Sequence, residues 1–346
     1  MGVRLRGRAG SAPVPHRAAP RRCPRNLVNL RWPDMNDFAA RLPLARTRID
    51  RDDLGRESAF SLLEDPTSRM LLQRRDTALV APRGEGLALD LRLGDTLPEI
   101  AEPIYLGRLI ADRENPDGRV DAAGTPIFAV ELGDFDASQV EPDADRWPML
   151  NESALSLDDL DAGLYAEALG IRNFHRAHRH SPTTGERLAA EHGGWVLRPE
   201  DGGQPIFPRT DPAIIVGVVD AQDRILLGAN VNWTPRRYST FAGFVEPGES
   251  FEQAVARELA EEANVRIANA RYLGSQPWPF PASLMVGFLA ELAPDQDPET
   301  VAPDNVEIAE VRWFTREEVL AHKDQLPPTV SISRAIIEEW YGGPIR

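Results

Sequence analysis

Between about residues 36 and 155 the apolar positions come in short, strand-length runs: TALVA, LALDLRL, IYLGRLIAD and PIFAVEL. Turn-rich pieces such as ENPDGR and DAAGTP separate them, so the pattern predicts a small mixed β domain, with no catalytic motif in it. The period then changes. Leu157, Leu160, Leu164, Ala168 and Ile171 fall along one stripe, which predicts a helix. Residues 175–210 are turn-rich, and from 213 onward strands and helices alternate. AIIVGVV and RILLGA flank DAQD as a hairpin, YSTFAGF, SLMVGFLAEL and EIAEVRWF read as further strands, and SISRAIIEEWYG as a closing helix. No solenoid-type repeat is visible.

One segment, GFVEPGESFEQAVARELAEEANV (Gly243 to Val265), breaks the rhythm with six glutamates. Pro247 and Gly248 make a turn, and Ser250 with Gln253 three residues on forms a capping box that starts a helix. Val255, Leu259 and Ala263 lie at i, i+4, i+8 and face a core, while Glu258, Glu261 and Glu262 share the polar face. Asn264 stands where a left-handed residue ends the helix. Like charges at this spacing repel by roughly 0.2–0.5 kcal/mol per pair. A solvated acidic face is one reading. The other is a cation held between hard oxygen ligands, which suits Mg²⁺ or Mn²⁺. Arg257 can reach Glu261 or Glu249 and hold the geometry.

Composition narrows the classes. The chain has 346 residues, 42% hydrophobic and 27% charged, as in an ordinary globular protein of about two domains. No run approaches the ~20 apolar residues of a membrane span. The formal charge of −15 argues against broad electrostatic binding to nucleic acid. Of 39 basic residues all but Lys323 are arginine, which reflects genomic base composition. Cys23 is the only cysteine, so an intramolecular disulfide is impossible and a reducing, cytoplasmic compartment is expected. Residues 1–34 hold eight arginines and no acid before Asp34, without the apolar core of a secretory signal. They read as a disordered extension ahead of a start at Met35, with a nucleic-acid-binding tail or a transit peptide as alternatives.

Gly243, Glu249 and the run RELAEE at these spacings resemble the Nudix box, with Glu249, Arg257, Glu258, Glu261 and Glu262 all present and Asn264 replacing its terminal glycine. Twelve residues beyond Asn264 begins QPWPFP, within SQPWPFPAS. By composition this is a stiff loop, either a rigid part of the core or a platform whose flat apolar faces stack a ring. Its position resembles the motif that marks the NADH pyrophosphatase branch of the Nudix family. The likeness runs over roughly 170–340, with a weaker one over 100–165. It implies an α/β/α sandwich (212–346), a β-rich N-terminal domain (35–165) and, over 166–211, a helix end with a ribbon-like segment.

The resemblance implies divalent metal ligation, Mg²⁺ or Mn²⁺, by Glu258, Glu261, Glu262, Glu307 and the carbonyl of Ala242. It implies substrate contacts from Gln276, Pro277, Trp278, Pro279, Phe280, Pro281, Ser283, Phe244, Ser333 and Phe207, the last standing where a tyrosine is usual. Arg236 and Arg237 are candidates for phosphate contact or for surface roles. The implied activity is hydrolysis of NADH and NAD to nicotinamide mononucleotide and AMP, with removal of NAD caps from RNA as a second expectation. The implied assembly is a homodimer. Alternatives are hydrolysis of another dinucleotide such as ADP-ribose, or a Nudix-like module that binds without hydrolysing. The four-cysteine zinc ribbon of such relatives aligns with Ser181, Thr184, Pro199 and Gly202, none of which supplies a thiolate, so no structural zinc is expected and turn chemistry should hold the shape. His175, His178, His180 and His192 offer a relocated zinc site as the competing reading.

Overall fold

The computed structural model describes residues 38–97 and 102–346. The Arg-rich extension, Met35 and Cys23 lie outside the described residues. Two six-stranded sheets carry the fold. The first is built from β1 (Ile49–Asp50), β2 (Arg69–Arg74), β3 (Thr77–Ala78), β4 (Arg92–Leu93), β5 (Ile104–Leu109) and β6 (Pro126–Glu131). Helix α1 (Asp159–Ala177) follows, and then a hairpin of β7 (Leu188–Glu191) and β8 (Val196–Pro199). The second sheet contains β9 (Asp211–Val219), β10 (Ile225–Asn230), β11 (Phe241–Phe244), β12 (Ile267–Trp278), β13 (Ser283–Leu292) and β14 (Ile308–Phe314). Helix α2 (Phe251–Ala263) lies between β11 and β12, and α3 (Ile332–Tyr341) closes the chain.

The second sheet is the middle layer of a sandwich. In β9 the side chains alternate between faces. Ile214, Val216 and Val218 share a core with Val255, Leu259 and Ala263 of α2, whereas Ile215 packs with Ile332 and Ile336 of α3. The β9–β10 hairpin turns on Asp220, whose carboxylate accepts from the backbone N–H of Gln222 (3.0 Å) and Arg224 (2.8 Å). The mixed α/β architecture and the β-rich N-terminal half match the sequence expectation.

The two sheets follow one path, which the sequence did not suggest. β9 pairs in parallel with β13, antiparallel with β10 near its end and antiparallel with β11 nearer its start. β13 is backed by antiparallel β12. In the first sheet β2 pairs in parallel with β6 and antiparallel with β3 and β4 in the same order, and β6 is backed by antiparallel β5. The difference lies in one connection. Residues 245–266 between β11 and β12 form the glutamate-bearing loop and helix, whereas β4 and β5 are joined by residues 94–103 alone, too few for such a helix.

The ribbon-like segment keeps a β-hairpin. Ser181 Oγ accepts from the N–H of Thr183 (3.3 Å) and Thr184 (3.2 Å), closing the first turn. The second closes through Gly202 N–H to Pro199 O (2.9 Å), with Gly202 at φ +86°, and Gly203 N–H to Asp201 Oδ1 (3.1 Å). Two of the four histidines have local partners: His175 Nε2 lies 2.7 Å from Gly194 O and His178 Nδ1 3.0 Å from Phe174 O. Among the described residues no group of three His, Cys, Asp or Glu side chains is arranged to hold a metal ion. No helix of the described residues is long and apolar enough to cross a membrane.

Inside α1, Glu167 is buried beside Arg51, whose Nη1 lies 3.0 Å from its Oε1 without hydrogen-bond alignment, and neither carboxylate oxygen has a hydrogen-bond partner. Burial pushes its pKa up to about 7, against the pull of Arg51 and Arg56. The folded state therefore holds a proton that the unfolded chain, titrating near 4.5, has lost, so stability falls as pH rises from 4.5 through about 7. Thermal unfolding should show a loss of Tm from pH 5 to pH 8 that is several degrees smaller in Glu167→Gln than in the parent. An identical pH slope would mean Glu167 is ionised in the fold.

Candidate active site

The loop and helix between β11 and β12 are shaped by one guanidinium. Ser250 caps α2, accepting from Gln253 N–H at 3.2 Å, and Asn264 ends it at φ +53°. Val255, Leu259 and Ala263 are wholly buried, which fixes the rotation of the helix and sends Arg257 back toward the loop. Arg257 donates twice to Glu249 (Nε–Oε1 2.7 Å, Nη2–Oε2 3.0 Å), to Glu258 (2.9 Å), to Glu261 (3.2 Å) and to the Phe244 carbonyl (3.0 Å). Glu249 also accepts from Glu246 N–H at 3.0 Å, so the loop closes on the same carboxylate. The hydrogen bond to Glu249 is the main cause that raises the Arg257 pKa, and in return it holds the Glu249 carboxyl below the ordinary range.

The remaining carboxylates are unequal. Glu258 lies so close over Gly243 in β11 that a Cβ on that glycine would come within 1.9 Å of its Oε1. Burial raises its pKa, Arg257 opposes, and Glu261 and Glu307 add repulsion. Glu262 is buried, and its Oε2 has no partner. Burial, then repulsion from Glu258, Glu307, Asp304 and Glu261, pushes its pKa up to about 8. Glu261 departs from the expected convergence: its side chain is 63% exposed and is tied outward to Arg257. The acids sit within electrostatic reach of one another but do not close into a ready-made cage, because Arg257 neutralises two of them. Glu307 is exposed at the start of β14, and Ala242 sits beside Gly243, paired with Ile215. A buried, unpartnered oxygen among acids that all donate oxygen fits a hard divalent cation.

The expected substrate contacts scatter. Phe244 and Phe207 are exposed, and Pro277 and Pro281 are exposed at the loop. Gln276 is 0% exposed: its Nε2 donates to Val330 O (2.9 Å) and its Oε1 is unpartnered. Ser333 is 2% exposed, its Oγ accepting from Thr240 N–H (3.2 Å) and Thr240 Oγ1 (2.8 Å), so it braces the start of β11. Trp278 and Phe280 pack edge to face, centroids 5.1 Å apart, and both lie partly buried against the core around α1. Pro279 is buried and Ser283 half-buried. The packing thus favours the rigid-core reading of this loop over free stacking faces. Arg236 pairs with Glu310.

Two residues were not foreseen. Asn173 of α1 donates through Nδ2 to the carbonyls of Pro279 and Pro281, both at 3.0 Å, clamping the proline-rich loop to the first half of the chain. Asp304 accepts from the N–H of Glu307 and Ile308 and donates its own N–H to Glu262 O, holding Glu307 and Glu262 on adjoining backbone. Asp304 also accepts from the N–H of Val306 (3.2 Å), an Asx-turn, and Asp-Asn is a turn signal readable in the sequence, whereas nothing local marks Asn173.

Gly243→Ala tests the cradle. The added methyl must expel the Glu258 carboxylate, so calorimetric Mn²⁺ affinity should fall at least tenfold with an unchanged far-UV spectrum. Unaltered affinity would remove Glu258 from any ligand set.

Comparison with known proteins agrees with this geometry. A NUDIX domain model matches residues 208–338, and a model described as NADH pyrophosphatase-like rudimentary NUDIX domain matches 67–173. The chain is 36% identical over 311 residues to the NAD-capped RNA hydrolase NudC of Mycobacterium bovis, covering 86% of this chain and 94% of that protein. It is 35% identical over 311 residues to the protein of that name from Mycobacterium tuberculosis, with the same coverage. It is 36% identical over 202 residues to human NAD-capped RNA hydrolase NUDT12, covering 54% of this chain and 43% of that one. The duplicated sheet path, complete box included in only one copy, therefore has its explanation: this chain belongs to the Nudix family, with an NADH pyrophosphatase-like rudimentary Nudix domain ahead of the Nudix domain.

Proposed function

We propose that this chain hydrolyses the pyrophosphate bond of NADH and NAD, releasing nicotinamide mononucleotide and AMP, and removes NAD caps from RNA. What carries the reading is the likeness to NAD-capped RNA hydrolases along almost the whole chain, combined with an intact set of box carboxylates. Glu258, Glu261, Glu262, Glu307 and the Ala242 carbonyl would hold Mg²⁺ or Mn²⁺, with the unpartnered Oε2 of Glu262 as the first ligand. Bound there, the metal supplies positive charge against the phosphate oxygens and lowers the pKa of a water. Arg257 holds the Glu249 carboxyl below its ordinary range, opposes the upward push of burial on Glu258, and keeps both in register. Glu262 must release its proton to bind a cation, since its pKa near 8 leaves it largely protonated at neutral pH. The buried Gln276 and the clamped loop behind it are support for the substrate site, and exposed Phe244 and Phe207 are its candidate stacking faces. We further place the enzyme in the cytoplasm as a homodimer, without structural zinc.

Glu262→Gln should lower AMP release from NADH by at least 10²-fold with either metal, within the range for loss of acid–base or ligand function. Equal rates would remove the metal assignment. A panel of NADH, NAD, ADP-ribose and NAD-capped RNA separates this reading from a general dinucleotide hydrolase, and turnover of ADP-ribose above all others would replace it. Binding of these compounds with no turnover would point to a sensing module. Elemental analysis should find no stoichiometric zinc after chelator-free purification, and one tightly held zinc per chain would refute the turn-closed ribbon.

A further inference from the structure

Away from the glutamate helix, a pocket of about 500 Å³ opens between the C-terminal part of α1 and the β7–β8 hairpin. In a chain of net charge −15 it gathers four arginines, Arg172, Arg176, Arg179 and Arg187, against two glutamates, Glu102 and Glu131. The acids do not balance the cations. Arg176 takes Glu131, and it also holds Asp76 (2.5 Å). Arg172 is 3% exposed, yet its Nε is 3.7 Å from Glu131 and neither Nε nor Nη2 has a hydrogen-bond partner. Arg179 and Arg187 are exposed and make no ion pair among the described residues. A buried guanidinium with unmade hydrogen bonds is costly, at roughly 1–3 kcal/mol for each unsatisfied group and more when charged. An oxyanion is the ligand that relieves it, through the two-pronged geometry a guanidinium offers. The opposite wall is apolar, formed by Leu188, Ala190 and Leu197 of the hairpin. A charged end and a greasy wall in one cavity of this size fit a small organic anion better than an isolated ion.

We propose that this pocket is a second ligand site that binds a phosphate group, with Arg172 as its buried anchor, Arg179 and Arg187 as its mouth, and the hairpin face against the remainder of a phosphomonoester. The inference is independent of the hydrolytic reading, because its measure is binding. The full chain is titrated in EDTA at fixed ionic strength, so that no divalent cation draws phosphate to the glutamate helix. One arm uses inorganic phosphate and the other AMP, separating the free anion from its organic ester. Saturable binding is expected in both, tighter for AMP. Arg172→Met should weaken it at least tenfold. Arg187→Gln, at an exposed position, should weaken it several-fold with an unchanged far-UV spectrum. Absence of saturable binding in both arms overturns the proposal, as does an affinity unchanged by Arg187→Gln or by a folded Arg172→Met. Saturable binding of single-stranded RNA but of neither small anion also overturns it.

Discussion

Everything at the candidate site depends on how few cations face its carboxylates. Five glutamates and one aspartate act on the helix α2 surface, and Arg257 is the guanidinium that meets them, binding Glu249, Glu258 and Glu261 together with the Phe244 carbonyl. Hydrogen bonds to charged groups contribute about 1.5–3 kcal/mol each. This one side chain thereby fixes the loop, the helix and the edge of β11 relative to one another. Its reach is finite, however. Glu262, one turn beyond and on the buried side, receives nothing from it, and its raised pKa is the result. The unfilled demand for positive charge is thus localised on one oxygen, and the site's chemistry follows from that imbalance.

The first sheet explains what the rest of the chain contributes. It reproduces the path of the catalytic sheet, but the connection from β4 to β5 leaves no room for a box helix, so it has no means of gathering carboxylates. What it retains is packing surface. Trp278 and Phe280 rest on its core, and Asn173 holds the two proline carbonyls that bracket Phe280. Phe38 and Leu42 pack into the face of the second sheet that carries α3. The rudimentary domain is thus a buttress for the proline-rich loop.

Local chemistry was legible in the sequence and long-range packing was not. The capping box at Ser250, the left-handed Asn264, the core stripe Val255–Leu259–Ala263 and the Asp220 hairpin depend on residues within a turn or two, and each appears as the pattern predicts. The roles read onto Gln276, Ser333 and Trp278 depend on what lies across the fold. Gln276 meets Val330 and Ser333 meets Thr240, partners set by the seating of α3, and Trp278 packs against the core that α1 shares with the first sheet. Period and spacing say which side of a strand a residue occupies but not what covers that side. The duplicated sheet was hidden for the same reason: strand order is a property of pairing, and it left no repeated residues to find.

The ribbon-like segment, which carries no cysteine, shows how a hairpin can be held by its surroundings. A structural zinc contributes about 10–16 kcal/mol in finger peptides that have nothing else to hold them, and turn hydrogen bonds at about 1 kcal/mol each fall well short of that. The hairpin here is not on its own. Trp195 at its tip donates Nε1–H to Tyr105 O (2.7 Å) in the first sheet, with the Arg56 guanidinium 3.7 Å over its ring. His175 of α1 bonds the neighbouring Gly194 carbonyl, and Leu197 is buried. Ser181 Oγ supplies the acceptor for the N–H groups of Thr183 and Thr184. Once the tip is anchored at both Trp195 and Gly194, the turns need only keep their shape and no longer have to drive folding. That lesser demand is one that serine, threonine and glycine can meet.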